Sequence, residues 1–344
     1  MKNNINVVAK KAGVSIATVS RAFNEKELVK EETRNRIIQI ARELDYKPSP
    51  IARGLSTKTT DTIGVILPDL VGEFFMDVIH GIDEEAYKSN QYIMVSSSHS
   101  QRNIVETLIE FMASGRVDGV ILMAPQMHKE VADFLKKSNR PIVLINSCPD
   151  LIDLVNFQID NYHGAVSCVE HLIWHGYKEI AIVKGPAKNC DAQERYAGFI
   201  DVLNKNGLSH KDLFEVSGDF GIKSGYDGFM KIMSQSNKPE AIFISNDMMA
   251  LGAYEAAKVS NIKIPGDVAI VGFDDIYLSK LLNPRLTTVH VPISELGVKA
   301  VNYLLKMING EVNSNQVYKE VLSTRLVIGG SCGCTNSYQS IIEG

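Results

Sequence analysis

Apolar residues recur with helical spacing at the very start of the chain, where Val8, Ala9 and Ala12 fall on one face of a short predicted helix. Gly13 follows, able to take positive φ without steric cost, and Ser15 stands where its hydroxyl can cap a second helix by accepting from the amide of Thr18 or its neighbour. Val19 and Phe23, one turn apart, face the first helix. A third stretch, from about Glu31 to Leu44, puts Ile37, Ala41 and Leu44 on its buried side, with Glu31 and Glu32 complementing its N-terminal dipole. The pattern predicts three short helices around one small core, the first two forming a helix-turn-helix. Pro48 and Pro50 stop the third helix, and Ile51 to Ser56 can add a turn and a half that is too short to be stable alone.

From Ile63 onward the pattern changes to short apolar runs alternating with amphipathic helices. Strands are predicted at Ile63 to Leu67, Ile93 to Ser96, Val120 to Met123, Ile142 to Ile145, Ile180 to Val183, Ala241 to Ile244 and Val268 to Val271. Helices are predicted at Met76 to Lys88, Asn103 to Ser114, Gly164 to His175, Gln193 to Asn206 and Met248 to Val259. Repeated βαβ units of this spacing imply parallel sheets covered on both faces, and the break between Asp160 and Ile180 divides them into two doubly wound lobes. Thr287 to Pro292 is extended, and a further helix follows from Ser294 to about Ile308. The expected fold class is an all-α helix-turn-helix domain joined to an α/β body of two lobes.

Charge separates the same two parts. Residues 1 to 60 hold 12 Lys and Arg against 6 Asp and Glu, a net of +6, while the whole chain of 344 residues carries −4 and the remainder therefore −10. Only the first segment suits a polyanion. Five scattered cysteines, Cys148, Cys168, Cys190, Cys332 and Cys334, show no disulfide framework and lead to the expectation of a reduced, cytoplasmic protein. No apolar stretch approaches the ~18 residues of a membrane span, and none at the N-terminus reads as a signal peptide, so no membrane partner is expected.

In the N-terminal module, the residues left outward at the start of the second helix are candidates for reading DNA. Ile16 and Ala17 can contact thymine methyls, Arg21 can fork onto guanine, and Ser15, Thr18 and Ser20 can serve the backbone. Beyond them, Ala52 and Leu55 are candidate contacts in the segment after the third helix, with Leu55 suited to a wedge in the minor groove. The competing account makes that segment a plain linker with Leu55 packed on the body.

In the body, ligands of doubly wound sheets bind beyond the carboxyl ends of the strands. Asp69 with Phe74 and Phe75, Asp160 with Asn161, Asn246 with Asp247, and Asp274 with Asp275 all occupy such positions. Carboxylates and amides among aromatics suit a small polyhydroxy compound. A structural account of the same residues has Asp247 and Asp275 capping helices, Asp160 holding the hinge and Phe75 in the core.

Two other signals are set aside. His171 and His175 are four apart on one helix, and Cys332 with Cys334 forms a CxC, but Leu172 stands after His171 where a zinc protease has its Glu and no third ligand is evident, so packed or solvated histidines and no metal are expected. No GxGxxG or GxxxxGK[ST] occurs, and no catalytic residue, cofactor or enzyme activity is expected.

The ordered series VAKKAGVSIATVSRAFN, EETRNRI, LDYKP, IARGLSTKTT and IGVILPD resembles the LacI/GalR family of bacterial transcription regulators, and the similarity runs to about Gly333. The resemblance implies a periplasmic-binding-protein-like body in which the chain crosses back late. Its expected divisions are 1–47 (DNA-binding), 48–60 (hinge helix and linker), 61–160 with 292–322 (one lobe), 161–291 with 323–334 (the other) and 335–344 (tail). It implies a homodimeric repressor on a pseudo-palindromic double-stranded operator, controlled by a small effector held between the lobes, a carbohydrate or related metabolite. The matching motifs carry effector roles to Phe74 and Phe75 (the aromatic pair), Arg195 (in RYAGF), Phe220 (in GDF), Asn246 (in ND) and Asp274 (in GFDD), and Asp69 and Glu73 join them by position.

Departures from the family pattern fall at Val7, at Lys30 in place of a capping Ser, at Gly72-Glu73 in place of Asn-Pro, and at Val291 in place of Gln. Glu73 is expected to add negative charge at the cleft mouth, favouring a ligand with hydroxyls or an amino group over a phosphorylated sugar unless Arg195 and Lys188 compensate. The rival reading is a stand-alone carbohydrate-binding protein with an incidental N-terminal extension.

Overall fold

The structure is a computed structural model describing residues 4–24, 26–46, 59–97, 104–113, 115–138, 140–148, 153–208, 214–313 and 316–334. The expected contacts at Ala52 and Leu55, and the tail from 335, lie outside the described residues.

Helix α1 (Ile5–Ala12) is capped by Asn4, whose side chain accepts from the amides of Asn6 and Val7, and ends at Gly13 in the left-handed region. Helix α2 (Ile16–Asn24) follows, with Ser15 Oγ accepting from the Thr18 amide at 3.1 Å. Helix α3 (Glu31–Glu43) has no side-chain cap at Lys30, as a residue without an acceptor oxygen dictates. Val8, Ala9, Ala12, Val19, Ala22, Ile37 and Ala41 form the core of this module. Phe23 and Leu44, both expected inside, sit half-buried at its rim, where Phe23 meets Tyr46 edge-on.

The first lobe is built on strands β1 (Thr62–Leu67), β2 (Tyr92–Ser97), β3 (Gly119–Met123), β4 (Ile142–Ile145) and β5 (Asn156–Ile159), with helices α4 (Glu73–Lys88), α5 (Ile104–Ala113) and α6 (Lys129–Lys137) between them. Helix α7 (Asn161–Trp174) opens the second lobe, which continues through β6 (Ile180–Lys184), α8 (Cys190–Lys205), β7 (Glu215–Ser217), α9 (Ile222–Met233), β8 (Ala241–Ile244), α10 (Asp247–Val259), β9 (Ala269–Val271) and the short α11 (Tyr277–Lys280). After β10 (Thr288–His290) the chain returns to the first lobe as α12 (Ile293–Ile308) and β11 (Lys319–Leu322), then crosses once more to β12 (Arg325–Val327).

Sheet pairing makes the crossings explicit. The first sheet runs β11-β5-β4-β3-β1-β2 and the second β7-β6-β8-β9, every neighbour pair parallel, while β10 and β12 pair antiparallel between them. Three connections therefore join the lobes, after β5, after β10 and after β11. The burial of β1 beyond its first residue, and of β3 and β4 throughout, follows from helices covering both faces.

Within the second lobe α9 and α10 cross backbone to backbone. A Cβ added at Gly252 would come far inside van der Waals contact distance of the Ile222 carbonyl oxygen, and one at Gly225 would do the same to the Met249 carbonyl oxygen. Gly252→Ala is accordingly expected to lower the stability of the body by about 3 kcal/mol, read from the denaturant midpoint. An unchanged midpoint would mean that the two helices separate freely.

Candidate functional site

The start of α2 presents Ile16, 48% exposed, beside exposed Ala17 and Arg21. Thr18 and Ser20 are half-buried. The hydroxyls of Ser15 and Thr18 lie 2.9 Å apart, and Ser20 Oγ accepts from Asn24 at 3.4 Å, so these residues fix the helix end while the other three project. Lys11, also on this module, is paired with Glu43 at 3.3 Å across an exposed surface.

A cavity of about 930 Å³ lies between the lobes, at the carboxyl ends of both sheets. Asp69, Phe74 and Phe75 reach it from the first lobe, and Arg195, Phe220, Asn246 and Asp274 from the second, so seven of the eight expected effector residues meet there. The Phe74 and Phe75 rings stand edge to face, 5.4 Å apart. Phe220 holds a positive φ of 69° and lies against Gly185, where a Cβ would strike its ring.

Arg195 is the centre of the polar half, with only 4% of its surface exposed. Its Nε donates to Asn161 Oδ1 at 2.8 Å, one terminal nitrogen donates to the Ser245 carbonyl at 2.5 Å, and the other pairs with Asp274 Oδ1 at 3.2 Å. The guanidinium stacks over the Phe273 ring at 3.8 Å. Asp274 reaches it only by adopting a φ of 114°, a strained conformation for a residue with a Cβ. Burial pushes the Asp274 carboxyl up to about 6, against the pull of Arg195.

Five carboxylates, Asp69, Glu130, Asp191, Asp219 and Asp274, line the cavity against Arg195 and His128. With Arg195 already occupied by Asp274, the surplus is negative. Such a lining accepts hydrogen bonds from hydroxyl or amino groups and opposes a phosphate. Lys188 is exposed and does not line the cavity.

Asp191 is a site residue the motifs did not supply. It accepts from Asn161 at 3.0 Å and, across the cleft, from Asn146 of the first lobe at 2.6 Å. Burial pushes its carboxyl up to about 7. Its place one helical turn before Arg195 was the available signal, since residues four apart share a face.

Other residues differ from expectation. Glu73 is not among the lining residues: its carboxylate accepts from the Tyr277 amide and, at 3.2 Å, from the Leu278 amide, taking up free N–H groups at the start of α11 on the opposite lobe. Asn246, and not Asp247, caps α10, accepting from the Met249 amide at 3.0 Å. Asp247 is wholly buried, accepting from the Ile276 amide and from Thr288 Oγ1 at 2.7 Å; burial, with Asp274 nearby, pushes it well above the usual carboxylate range. Asp275 caps no helix and pairs with His290 at 2.9 Å. Asp160 caps α7 by accepting from the His163 amide, and Asp69 accepts from the amides of Leu70 and Val71, which is a turn role within the cavity wall. Phe75 is half-buried against the main core while lining the cavity.

The cysteine expectation is corrected at two points. Cys148, after β4, and Cys190, at the start of α8, are joined as a disulfide with Cα atoms 5.7 Å apart, a third link between the lobes. They come from different lobes, so only the folded crossing brings them together. His171 and His175 do have further partners, for Cys332 and Cys334 place their sulfurs within 4.8 Å of the ring nitrogens.

Comparison with known proteins places the whole arrangement. Residues 4–49 match the model of bacterial regulatory proteins of the lacI family, and residues 169–332 match the periplasmic binding protein-like domain. The chain is 34% identical over 306 residues to the HTH-type transcriptional repressor PurR of Pasteurella multocida, covering 89% of this chain and 92% of that protein. It is 34% identical over 318 residues to catabolite control protein A of Priestia megaterium, covering 92% and 96%. Among solved structures, the lac repressor dimer bound to operator and an anti-inducer superposes with a TM-score of 0.86 at 28% identity, covering 96% of this chain and 99% of that one. The regulator CelR in complex with cellobiose gives 0.73 at 25%, covering 96% and 99%.

Two outcomes follow from this geometry. Asp191, at about 7, and Asp274, at about 6, hold protons in the folded chain that the unfolded chain, with its ordinary 3.8, has released, so their contribution to stability falls as pH rises through that window. Denaturant midpoints compared at about pH 5 and about pH 7.5 are expected to drop less in Asp191→Asn than in the parent chain, and equal drops would remove Asp191 as the cause. Reduction of the Cys148–Cys190 bond is expected to widen the interlobe distance distribution between spin labels on the two lobes without unfolding either. Identical distributions before and after reduction would show that the non-covalent ties alone set the lobe spacing.

Proposed function

The chain belongs to the lacI family of bacterial regulatory proteins, and from that premise we infer a homodimeric repressor whose hold on a pseudo-palindromic operator is set by a neutral or amino-bearing polyol between the lobes. DNA binding with effector control is the common activity of its relatives, which are transcriptional regulators and not enzymes. The observation that carries the effector class is the cavity lining itself, carboxylate-rich, walled by Phe74, Phe75 and Phe220, and with its one arginine already neutralised. Carboxylates accept from hydroxyls, and the aromatic faces cover the apolar side of a ring. A carbohydrate meets both requirements. Two relatives were solved with sugars, cellobiose and ribose, which supports the class without naming the compound.

On the DNA side, Ile16, Ala17 and Arg21 read base edges while Ser15, Thr18 and Ser20 hold the end of α2 and serve the phosphates. One such module reads few bases, so two copies on half-sites about one helical turn apart, or a multiple of it, supply useful specificity. Cross-lobe ties at Glu73 and Asp191 give the effector something to compete with or complete, and the resulting lobe movement alters the spacing of the two DNA modules. No helix among the described residues is long and apolar enough to cross a membrane. The inferred action on an operator calls for a cytoplasmic protein.

Selection of bound genomic fragments, with and without a panel of sugars, amino sugars and sugar phosphates, tests the reading. The expected result is a two-fold symmetric site whose occupancy responds to an unphosphorylated member of the panel. Arg21→Ala is expected to weaken the selected site by roughly 1–3 kcal/mol, read by titration at fixed salt. A response confined to sugar phosphates would overturn the effector class, and absence of any selected site would overturn operator binding.

A further inference from the structure

The last turn of α7 carries the sequence HLIWH, which puts His171 and His175 on one face. The chain returns to that face at its far end with SCGC, where Gly333 takes a φ of 96° between Cys332 and Cys334. His171 Nε2 lies 3.3 Å from Cys332 Sγ and 3.8 Å from Cys334 Sγ, and His175 Nε2 lies 3.1 Å from Cys334 Sγ. All four ligand atoms fall within 4.8 Å of one another. Tetrahedral zinc, with bonds of roughly 2.0–2.3 Å, requires ligand atoms separated by about 3.3–3.8 Å, so little contraction separates this cluster from a complete coordination shell.

We propose that His171, His175, Cys332 and Cys334 form a structural zinc site that clasps the C-terminal return of the chain to the last turn of α7. Two thiolates and two imidazoles favour zinc over magnesium, calcium or manganese, which take oxygen ligands. Four protein ligands leave no open position, as in structural and not catalytic zinc sites. Both thiols release their protons to solvent when the ion binds.

The surroundings fit the same role. Thr287 Oγ1 donates to Cys332 Sγ at 3.1 Å, an outer hydrogen bond that stabilises a thiolate. Tyr177 donates its hydroxyl to the Cys332 carbonyl at 3.1 Å, and Trp174 and Tyr177 stack on His171 and His175, at 6.0 Å each, walling the site. Cys332 is fully buried and the other three ligands are half-buried. The clasp thus joins three passages of the second lobe: α7, the segment leading into β10, and the chain end.

The test is elemental analysis of the full-length chain, purified without chelator or polyhistidine tag and kept reduced. Zinc is expected near one equivalent per chain and to persist through gel filtration. Stripping it should lower the melting temperature by roughly 5 °C or more, restored by zinc and not by magnesium or calcium. The stripped wild-type chain loaded with cobalt(II) should show the visible bands of a tetrahedral site with thiolate charge transfer, and Cys332→Ser with Cys334→Ser should lose the thiolate signal. Because the cobalt spectrum is read on the unaltered sequence, poor folding of the variant does not blur the result. Trace zinc, with no cobalt spectrum and no thermal response in the reduced protein, would overturn the site, and so would a Cys332–Cys334 disulfide in protein isolated without oxidant.

Discussion

A buried cation has to be neutralised and fully hydrogen-bonded, and Arg195 meets that requirement only by drawing three separate parts of the chain to one point. Asn161 comes from the first crossing, Ser245 from the end of β8, and Asp274 from the loop that leads to the second crossing. Remove the Asp274 carboxylate and a charge is left in a low-dielectric site at a cost of several kcal/mol, whereas loss of the Asn161 amide leaves one N–H without its acceptor. The strained backbone at Asp274 and the stacked Phe273 ring both follow from placing that carboxylate. The polar wall of the cleft is therefore a by-product of satisfying one guanidinium, and its geometry is set before any ligand arrives.

Among the described residues several ties then cross the cleft: Asn146 to Asp191, Glu73 to the start of α11, the Cys190 amide to the Pro125 carbonyl, and Cys148 to Cys190. Each holds one lobe against the other. A ligand changes the lobe arrangement only by the difference in its affinity for the two states, and moving an equilibrium from one side to the other takes about 5.5 kcal/mol of such difference. The ties set which side is the starting point. Glu73 is instructive here, since its charge serves a helix end on the far lobe and not the ligand.

Sequence periodicity located the long apolar strands, most of the helices and the N-terminal module, because each is specified within a dozen residues. β1, β3, β4, β6 and β8 are buried on both faces and read as continuous apolar runs. β5 (NFQI) and β7 (EVS) are short and polar, and exist as strands because a neighbour pairs with them. The amphipathic α6 and α9 fall outside the predicted helices. Motif positions bring seven effector candidates to one cavity, while Asp191 is marked only by its place one turn before Arg195, and neither the Cys148–Cys190 bond nor the meeting of His171 and His175 with Cys332 and Cys334 is legible. The partners in these last two lie 42 to 163 residues apart, and no local pattern encodes a contact that only the crossings create.

The threefold crossing has a consequence for how the protein is made. The first sheet has β11 as its edge beside β5, and α12 packs on α4, β3, β4 and β5, so the first lobe lacks a strand and a covering helix until residue 322 has been synthesised. The second lobe's sheet, complete by Val271, is finished earlier although it begins later. On the ribosome the order of folding is thereby inverted relative to the order of sequence: the nascent first lobe waits with β5 unpaired on one side and apolar surface uncovered while the second closes. A chain released after Val271 would carry every strand of its second sheet and still lack the edge strand and covering helix of its first.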